Sequence, residues 1–182
     1  MNPHLLKIVR NNHQVLKYQQ LEDLAATVTD GVIVELGTHL GYGAIALCTG
    51  ATVPVYTVDD YQNRQGWAGE YYYPNDFEIA RKNCLEANIG LNSRLFLIRC
   101  DVRQAALLAH TTIELLFWDL GIPARLCEDF EAWQSHITGK FVVHDTEDNR
   151  LGSDLLNPAG WTKKKDGVFW VLERDLSTSP LT

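Results

Sequence analysis

The sequence predicts an α/β protein built on one mostly parallel sheet, and three observations predict it. From residue 32 onward, apolar strand-like runs alternate with helical segments, which is the pattern of a parallel sheet with helices on both faces. The first run, VIVEL (32–36), is almost continuously apolar and β-branched, as in a central strand buried on both faces. The last two runs, GWTKKK and GVFWVLERD, are joined by Asp166-Gly167, which predicts an antiparallel hairpin.

The elements follow from local patterns. Apolar positions at helical spacing in residues 3–27 predict one or two helices, followed by a turn at Asp30-Gly31. Strands are predicted at 32–36, 53–60, 94–101, 113–120 and 140–145. Helices are predicted between them, at 43–50, 74–90, 102–110 and 123–137. Gly50 and Gly90 are expected to end the first two of these helices, and Asn75 or Asp76 to cap the second.

Length and charge narrow the class of protein. The chain has 182 residues, 46% of them hydrophobic, which predicts a single domain over 1–182 with an N-terminal helical segment (1–29) and a sheet core (30–175). No apolar run reaches membrane-span length and the N-terminus lacks a signal-peptide pattern, so we expect a soluble cytoplasmic protein with no membrane partner. The net charge is −7 and the one basic run is 163–165. We interpret that run as a solvated strand or hairpin and expect no nucleic-acid partner.

The cysteines do not form a framework. Cys48, Cys84, Cys100 and Cys127 include no CxxC pair, and each lies in or beside an apolar segment. We therefore expect reduced, mostly buried thiols rather than disulfides or a structural zinc site.

The stretch GVIVELGTHLGYGAIALCTG (31–50) is the main functional signal. Gly37, Gly41 and Gly43 permit a sharp strand-to-helix turn and close approach of a ligand to the backbone. A dinucleotide fingerprint would place a glycine at position 39. Here His39 would crowd a diphosphate, and Glu35 would repel it. S-adenosylmethionine carries an ammonium group and a sulfonium but no phosphate, so a carboxylate at this position suits it. The alternative is a structural Glu35 paired with a lysine or with capping amides.

Acidic residues follow the next two strands. Asp59 lies 22 residues after Gly37 and is expected to accept the ribose hydroxyls of an adenosine, with Asp60 as the fallback and a turn or N-cap role as the alternative. Asp101 and Val102 follow the third strand and are expected to line the adenine, although Asp101 could equally cap the next helix. The predicted cofactor-binding set is Glu35, Gly37, Thr38, His39, Gly41, Gly43, Asp59, Asp60, Asp101, Val102 and Asp119.

From about residue 30 to 175 the chain resembles class I S-adenosylmethionine-dependent methyltransferases. The resemblance is carried by VIVELGTHLGYGA, VYTVDD, LIRCD, LLFWDLG, KFVVHDT and the closing hairpin. Within that class, ELGTHLGYG and the HD after the fifth strand are similar to small-molecule O-methyltransferases grouped with macrocin- and cephalosporin-tailoring enzymes. The resemblance implies a Rossmann-like, seven-stranded, mostly parallel sheet of order 3-2-1-4-5-7-6, with an antiparallel seventh strand. It also implies an enzyme that methylates a small-molecule acceptor, most simply at a hydroxyl.

Two departures from that pattern stand out. His39 replaces the commonest middle glycine of the first motif. After Asp119 the subgroup usually has a glycine and then a nearby histidine or aspartate, whereas this chain has Ile122-Pro123 in that region. The second departure weakens the case for metal-dependent chemistry.

The transfer chemistry is expected at the ends of strands four and five, where Asp119, His144 and Asp145 can meet. Methyl transfer needs alignment and a deprotonated acceptor. In one hypothesis His144 or Asp119 is the general base. In the other, Asp119 and Asp145 bind Mg²⁺, which lowers the pKa of the acceptor hydroxyl, with Glu147 and Asp148 as additional ligands. A hydrogen-bonded core histidine is the structural alternative for His144.

Two segments are candidates for contact with the substrate. YQNRQGWAGEYYYPND (61–76) is predicted to fold over the cofactor or acceptor as a lid through Trp67 and the three tyrosines 71–73. Packing on the sheet edge or in a dimer interface is the alternative for these aromatic residues. The other segment is TEDNRLGSDLLN (146–157). Because the chain has no inserted cap domain, substrate walls are expected from the N-terminal helices or from the second subunit of a homodimer.

Two other functions fit part of the pattern. A non-catalytic protein that binds S-adenosylmethionine would carry the same cofactor motifs, because these motifs report the cofactor better than the acceptor. A nicotinamide- or nucleotide-dependent enzyme could use a similar sheet, but Glu35 and His39 argue against it.

Overall fold

The computed structural model describes residues 1–61, 75–121, 125–144 and 156–175. Its centre is one seven-stranded sheet of order β3-β2-β1-β4-β5-β7-β6, which confirms the predicted topology. The strands β1 to β5 pair in parallel with one another, and β7 runs antiparallel to both β5 and β6. The strands are β1 (Val32–Leu36), β2 (Val55–Asp59), β3 (Leu95–Arg99), β4 (Ile113–Trp118), β5 (Ile137–Val143), β6 (Trp161–Asp166) and β7 (Phe169–Arg174).

Six helices accompany the sheet in the described part of the chain. They are α1 (Pro3–Ile8), α2 (Asn12–Ala26), α3 (Tyr42–Gly50), α4 (Asp76–Glu86), α5 (Val102–Leu107) and α6 (Leu126–Trp133). The N-terminal segment therefore forms two helices. Asn2 and Asn11 cap them by accepting hydrogen bonds from the amides of His4 and Gln14.

Several predicted boundaries were wrong by a few residues. The helix predicted at 74–90 ends at Glu86, and residues up to Gly90, which has φ +78°, form a turn. The fifth strand begins at Ile137, not at 140, because Ile137 already pairs with Ile113 of β4. Asn75 caps α4 by position but without a side-chain hydrogen bond. The terminal hairpin is confirmed, and its two-residue loop is Gly167-Val168, with Gly167 at φ +59°.

The sheet separates two apolar cores. On one face, α2, α3 and α4 cover β-strand residues such as Ile33, Leu115 and Phe117. On the other face, α5 and α6 cover Val34 and Trp118. Successive residues of a strand point to opposite faces, so the central strands β1 and β4 supply both cores. No helix of the described residues is long and apolar enough to cross a membrane.

Two sequence expectations about surface and thiols agree with the fold. The basic run 163–165 lies on β6, the outermost strand beside β7, where most side chains are exposed. Cys48 and Cys84 are buried, Cys100 and Cys127 are partly buried, and all four are free thiols.

Candidate active site

Strand alternation brings four of the predicted residues to one face of the sheet. Glu35 lies opposite Thr57 of β2 and Phe117 of β4 in the parallel register. Asp59 lies two residues after Thr57, and Asp119 two residues after Phe117, so each shares the face of its predecessor. His144 lies two residues after Val142 of β5, whose side chain belongs to the core beneath α2, α3 and α4. His144 therefore points to that same face of the sheet. The carboxyl ends of β1, β2, β4 and β5 therefore aim these side chains toward the α2–α3 layer.

The glycine loop has the backbone conformation that its sequence predicts. Gly37 has φ +100° and Gly41 has φ +83° at the start of α3. A Cβ on Gly37 would come within 2.6 Å of the Asp119 carbonyl oxygen, so the loop passes close to the end of β4. His39 has φ +46°, a conformation that costs a non-glycine residue about 1 kcal/mol or more. The position is therefore one that favours glycine, although this chain has histidine there.

Glu35 is placed beneath the loop rather than in an open cleft. It is 1% exposed, and its Oε2 accepts a hydrogen bond from Thr57 Oγ1 at 2.5 Å. Thr57 Oγ1 in turn lies 2.5 Å from Oγ1 of the buried Thr38. A Cβ on Gly43 would overlap Oε1 of Glu35, so this glycine makes room for the carboxyl group. In this conformation Glu35 supports the loop and reaches no solvent-exposed ligand directly.

Burial controls the charge of Glu35. Loss of solvation raises its pKa from near 4.5 to about 8; the hydrogen bond from Thr57 opposes this rise, and nearby Asp119 adds to it. At neutral pH the carboxyl group is therefore largely protonated until a cation, or a movement of the loop, stabilises its charge.

Asp59 ties the loop to the second strand. Its Oδ2 accepts from the backbone amide of His39 at 3.0 Å, and its Oδ1 accepts from that of Tyr61 at 2.9 Å. Asp59 is 7% exposed, and burial raises its pKa against these two hydrogen bonds. Each oxygen keeps a second lone pair, so the ribose role stays a prediction. Asp60 is half-buried at the same strand end.

Asp101 fills the capping role that the sequence left open. Its carboxylate accepts hydrogen bonds from the amides of Arg103 and Gln104 at the start of α5, and it lies 3.6 Å from the Arg125 guanidinium. Burial would raise the pKa of Asp101, but these amides and guanidinium groups outweigh it and lower the pKa. Val102 is the first residue of α5 and is buried. The expected adenine contacts of both residues stay predictions.

Asp119 and His144 meet as predicted, and a third residue joins them. His144 Nδ1 lies 2.8 Å from Asp119 Oδ1, and Lys17 Nζ lies 2.7 Å from Asp119 Oδ2. Lys17 Nζ is also 3.1 Å from His144 Nδ1. Burial acts to raise the pKa of Asp119, but Lys17 and His144 together hold it far below its usual range. Asp119 is therefore an ionised hydrogen-bond acceptor and a poor proton acceptor.

Lys17 was missed by the sequence analysis. It lies on α2, 102 residues before Asp119, and no motif includes it. A signal was present, because Lys17 is four residues before Leu21 on the apolar face of α2, where Tyr18 and Ala25 are also buried. A charged residue on the buried face of an amphipathic helix needs a partner in the core.

Aromatic and imidazole rings surround His144. The rings of His13, Phe169 and Phe117 lie at centroid distances of 5.8, 5.7 and 6.5 Å from it. His13 is four residues before Lys17 on α2, so both project from the same side of that helix. His144 is 7% exposed and its Nε2 is buried. An acceptor can therefore reach Nε2 only after the groups that cover it move.

Part of the predicted site lies outside the described residues. This applies to Asp145, Glu147 and Asp148 of the metal hypothesis, to Ile122-Pro123, to Trp67 and tyrosines 71–73 of the predicted lid, and to all but the end of the 146–157 segment. Of the lid segment, Tyr61, Asn75 and Asp76 are described. Tyr61 is buried and packs edge-on against Phe77 at 5.1 Å.

An apolar cavity of about 370 Å³ lies away from this chemistry. It is lined by residues such as Val34, Val58, Cys100, Ala105 and Trp133, between the sheet and α5. These residues belong to the other face of the sheet, so the sheet separates the cavity from Asp119 and His144.

Comparison with known proteins points to one fold. No family model matches the chain, and no curated protein matches it. Solved structures do match: a methyltransferase from Geobacter sulfurreducens is 15% identical with a TM-score of 0.69, over 92% of this chain and 81% of that one. The O-methyltransferase TomG from Streptomyces achromogenes, involved in tomaymycin synthesis and solved with S-adenosylmethionine, is 16% identical with a TM-score of 0.64, over 87% and 79%.

This chain has a class I methyltransferase fold. A third similar structure, an rRNA methylase from Streptococcus thermophilus, is 15% identical with a TM-score of 0.57, over 92% of this chain and 98% of that one. The structures similar to this chain thus include both a methyltransferase of small-molecule biosynthesis and an rRNA methylase. At these identities the likeness concerns the fold, and the activity has to be argued from the site.

Proposed function

We propose that this protein transfers a methyl group from S-adenosylmethionine to a hydroxyl group of a small-molecule acceptor. One observation carries the proposal. The hydrogen-bonded Asp119–His144 pair lies at the carboxyl ends of β4 and β5, on the same sheet face and edge as the glycine loop. In open α/β sheets this edge is where ligands bind. Cofactor motif and proton-handling residues therefore share one site.

The chemistry of the loop suits this cofactor. The stretch from Glu35 to Gly43 has His39 where a dinucleotide-binding motif has a glycine, and that side chain would crowd the diphosphate of a nicotinamide dinucleotide. Asp59 and Asp60 beside the loop suit ribose hydroxyls. Glu35 suits the ammonium or sulfonium group only after the loop moves, because in this conformation it is buried beneath the loop and largely protonated. When bound, S-adenosylmethionine supplies an activated methyl group. The protein then has to bind it, orient the acceptor and accept a proton.

The general base in this proposal is His144. An ionised carboxylate only accepts hydrogen bonds, and Asp119 lies closer to Nδ1 than the Lys17 ammonium does, at 2.8 Å against 3.1 Å, so we assign the imidazole proton to Nδ1. Nε2 then carries the lone pair that accepts the hydroxyl proton. Asp119 orients the ring and stabilises the imidazolium that forms. Asp119 itself is the weaker candidate for the base, because both its oxygens already accept hydrogen bonds and its pKa is lowered.

The finer expectations belong to the same proposal. A small-molecule O-methyltransferase of the tailoring kind is supported by the similarity to TomG, and α2 can supply part of the acceptor wall through His13 and Lys17. A non-catalytic protein that binds S-adenosylmethionine remains the second candidate, since Nε2 of His144 is buried in this conformation. A cytoplasmic location and a homodimer that completes the acceptor wall also stay predictions.

The test begins with calorimetric titration of the protein with S-adenosylmethionine, S-adenosylhomocysteine and NAD. We expect the first two to bind and NAD not to bind. Asp59→Asn should weaken binding at least about tenfold, equivalent to 1.4 kcal/mol, while Asp30→Asn, in an exposed turn, is the matched control. His144→Gln should bind the cofactor normally but form no S-adenosylhomocysteine with a panel of phenols and sugar alcohols on which the wild type is active.

The outcomes separate the candidates. Cofactor binding without turnover of any acceptor by the wild type would favour the non-catalytic protein. Binding of NAD alone would overturn the proposal. Full turnover by His144→Gln would remove His144 from the mechanism while leaving the cofactor assignment intact.

A further inference from the structure

Lys17 places a positive charge inside the proposed site. Its Nζ lies 2.7 Å from Asp119 Oδ2 and 3.1 Å from His144 Nδ1. The Lys17 and Asp119 side chains are only 13% and 19% exposed. A contact this short between partly buried opposite charges is a charge-assisted hydrogen bond rather than a surface ion pair.

This ammonium group lies where the metal hypothesis needs a cation. A Mg²⁺ ion held by Asp119 would sit about 2.0–2.1 Å from a carboxylate oxygen. Oδ2 is engaged by Lys17, and Oδ1 is engaged by His144. A divalent ion in the same position would therefore face the Lys17 ammonium at a few ångströms and would be repelled.

The described surroundings do not compensate for this repulsion. No group of three or more His, Cys, Asp or Glu side chains that could hold a metal ion occurs within residues 1–61, 75–121, 125–144 and 156–175. Within the described part of the chain, the residues that surround Asp119 therefore do not fit a divalent ion while Lys17 is in place.

Charge balance explains why the arrangement is stable. Lys17 and Asp119 neutralise one another, and His144 is hydrogen-bonded to Asp119. Removing one member of a buried pair leaves the other charge uncompensated. Without Lys17, the uncompensated carboxylate of Asp119 beside the His144 imidazole becomes an attractive site for a divalent cation.

We propose that the Lys17 ammonium group takes the place of a metal ion in this site. It occupies the approach to Asp119 that a divalent metal would need. His144 therefore activates the acceptor without a metal ion. Lys17 acts through Asp119 and His144 and is therefore a positioning residue. The second half of the proposal rests on the proposed function. The exclusion of metal can be measured on protein free of cofactor and acceptor.

The experiment measures Mn²⁺ binding to cofactor-free protein through the electron paramagnetic resonance signal of the free ion. The variants are Lys17→Met, Lys17→Arg, Asp119→Asn and the double variant Lys17→Met/Asp119→Asn. Lys82→Met is the matched control, because Lys82 is 74% exposed on α4. We expect no Asp119-dependent binding to the wild type, Lys17→Arg or Lys82→Met. Lys17→Met should bind Mn²⁺ at least tenfold more tightly than the wild type, and the double variant should lose this gain.

Two results would overturn the proposal: Mn²⁺ binding to the wild type that disappears in Asp119→Asn, or no gain of binding in Lys17→Met. Because Lys17→Met breaks a partly buried ion pair and can lower stability, Lys17→Gln serves as the second variant, and both are compared at temperatures where circular dichroism shows a native fold. Failure of the cofactor titrations would overturn the proposed function but would not alter the Mn²⁺ result.

Discussion

Glu35 shows at the scale of a single residue how position changes chemistry. The sequence places a carboxylate at the end of an apolar strand, which suggested a fixed negative charge for a cationic ligand. In the structure the side chain is 1% exposed, and burial raises its pKa to about 8. The group is therefore better described as a protonatable support of the glycine loop, which can gain its charge when a cation arrives.

This shift in pKa predicts a pH dependence of stability. Glu35 binds its proton more tightly in the folded state (pKa about 8) than an ordinary carboxyl group near 4.5. Its stabilising contribution is thus fully present below pH 4.5 and is lost as the pH rises through 8. The unfolding free energy of the wild type, relative to Glu35→Gln, should fall between pH 5 and pH 8.5 by an amount on the order of 2–5 kcal/mol.

Urea unfolding at several pH values measures this difference. Glu78→Gln is the control, because Glu78 is 69% exposed and pairs with Arg81 on the surface of α4. The difference in unfolding free energy between Glu78→Gln and the wild type should stay constant over the same pH range. If the difference in unfolding free energy between Glu35→Gln and the wild type were also independent of pH, the buried carboxyl group would not titrate as the structure indicates.

Helix α2 is the element that adds a charged side chain to the carboxyl ends of the strands in the candidate site. Its buried side packs on α3 through Tyr18, Leu21 and Ala25. That packing directs Lys17 toward the end of β4, where it meets Asp119. The helix thus forms a wall of the site that the strands alone could not provide.

The packing of α2 predicts unequal effects for two leucines of the same helix. Leu21 is fully buried, whereas Leu16 is 56% exposed. Leu21→Ala removes a core side chain and leaves a cavity, so it should lower the unfolding free energy by about 2–5 kcal/mol. Leu16→Ala should change it by less than about 0.5 kcal/mol.

Urea unfolding of both variants checks this expectation, with an unchanged m-value as evidence that the same transition is followed. Equal losses in the two variants, or no loss in Leu21→Ala, would contradict the packing of α2 on the core.

The charge of the whole molecule bears on the acceptor class. One similar structure is an rRNA methylase, yet this chain has a net charge of −7. Two of the three lysines of its basic run, Lys163 and Lys164, also have partners within the hairpin region. Lys164 lies 3.2 Å from Glu173, and Lys163 donates to the Leu156 carbonyl and lies over the Trp170 ring. These observations favour a small acceptor over RNA.

We therefore expect no specific RNA binding. Fluorescence anisotropy of a labelled RNA hairpin measures this binding. The Kd should be weaker than ~0.1 mM at ~0.15 M salt. Lys164→Glu should leave the result unchanged. Low-micromolar binding that weakens in Lys164→Glu and with added salt would instead make RNA the acceptor to test.

Much of the fold could be predicted because its signals are local. The order of strands and helices follows from apolar periodicity, and the terminal hairpin from Asp166-Gly167. The bounds of β1 agree to the residue, because a β-branched run between Gly31 and Gly37 has clear limits. Element ends without such limits were less accurate, as the early start of β5 shows, because pairing with β4 extends the strand.

The sequence by itself determined which side chains stand at the carboxyl ends of the strands, since a period of two residues and parallel order place Glu35, Asp59, Asp119 and His144 on one face. Only the tertiary structure decided what those side chains do. Lys17 pairs with Asp119 across 102 residues, Asp101 caps α5, and Glu35 loses its charge on burial. The physical reason is the distance along the chain over which each effect acts. The periodicity of a strand or helix depends on residues close in sequence. Ion pairing and pKa depend on which distant elements pack over a group and how much water they exclude.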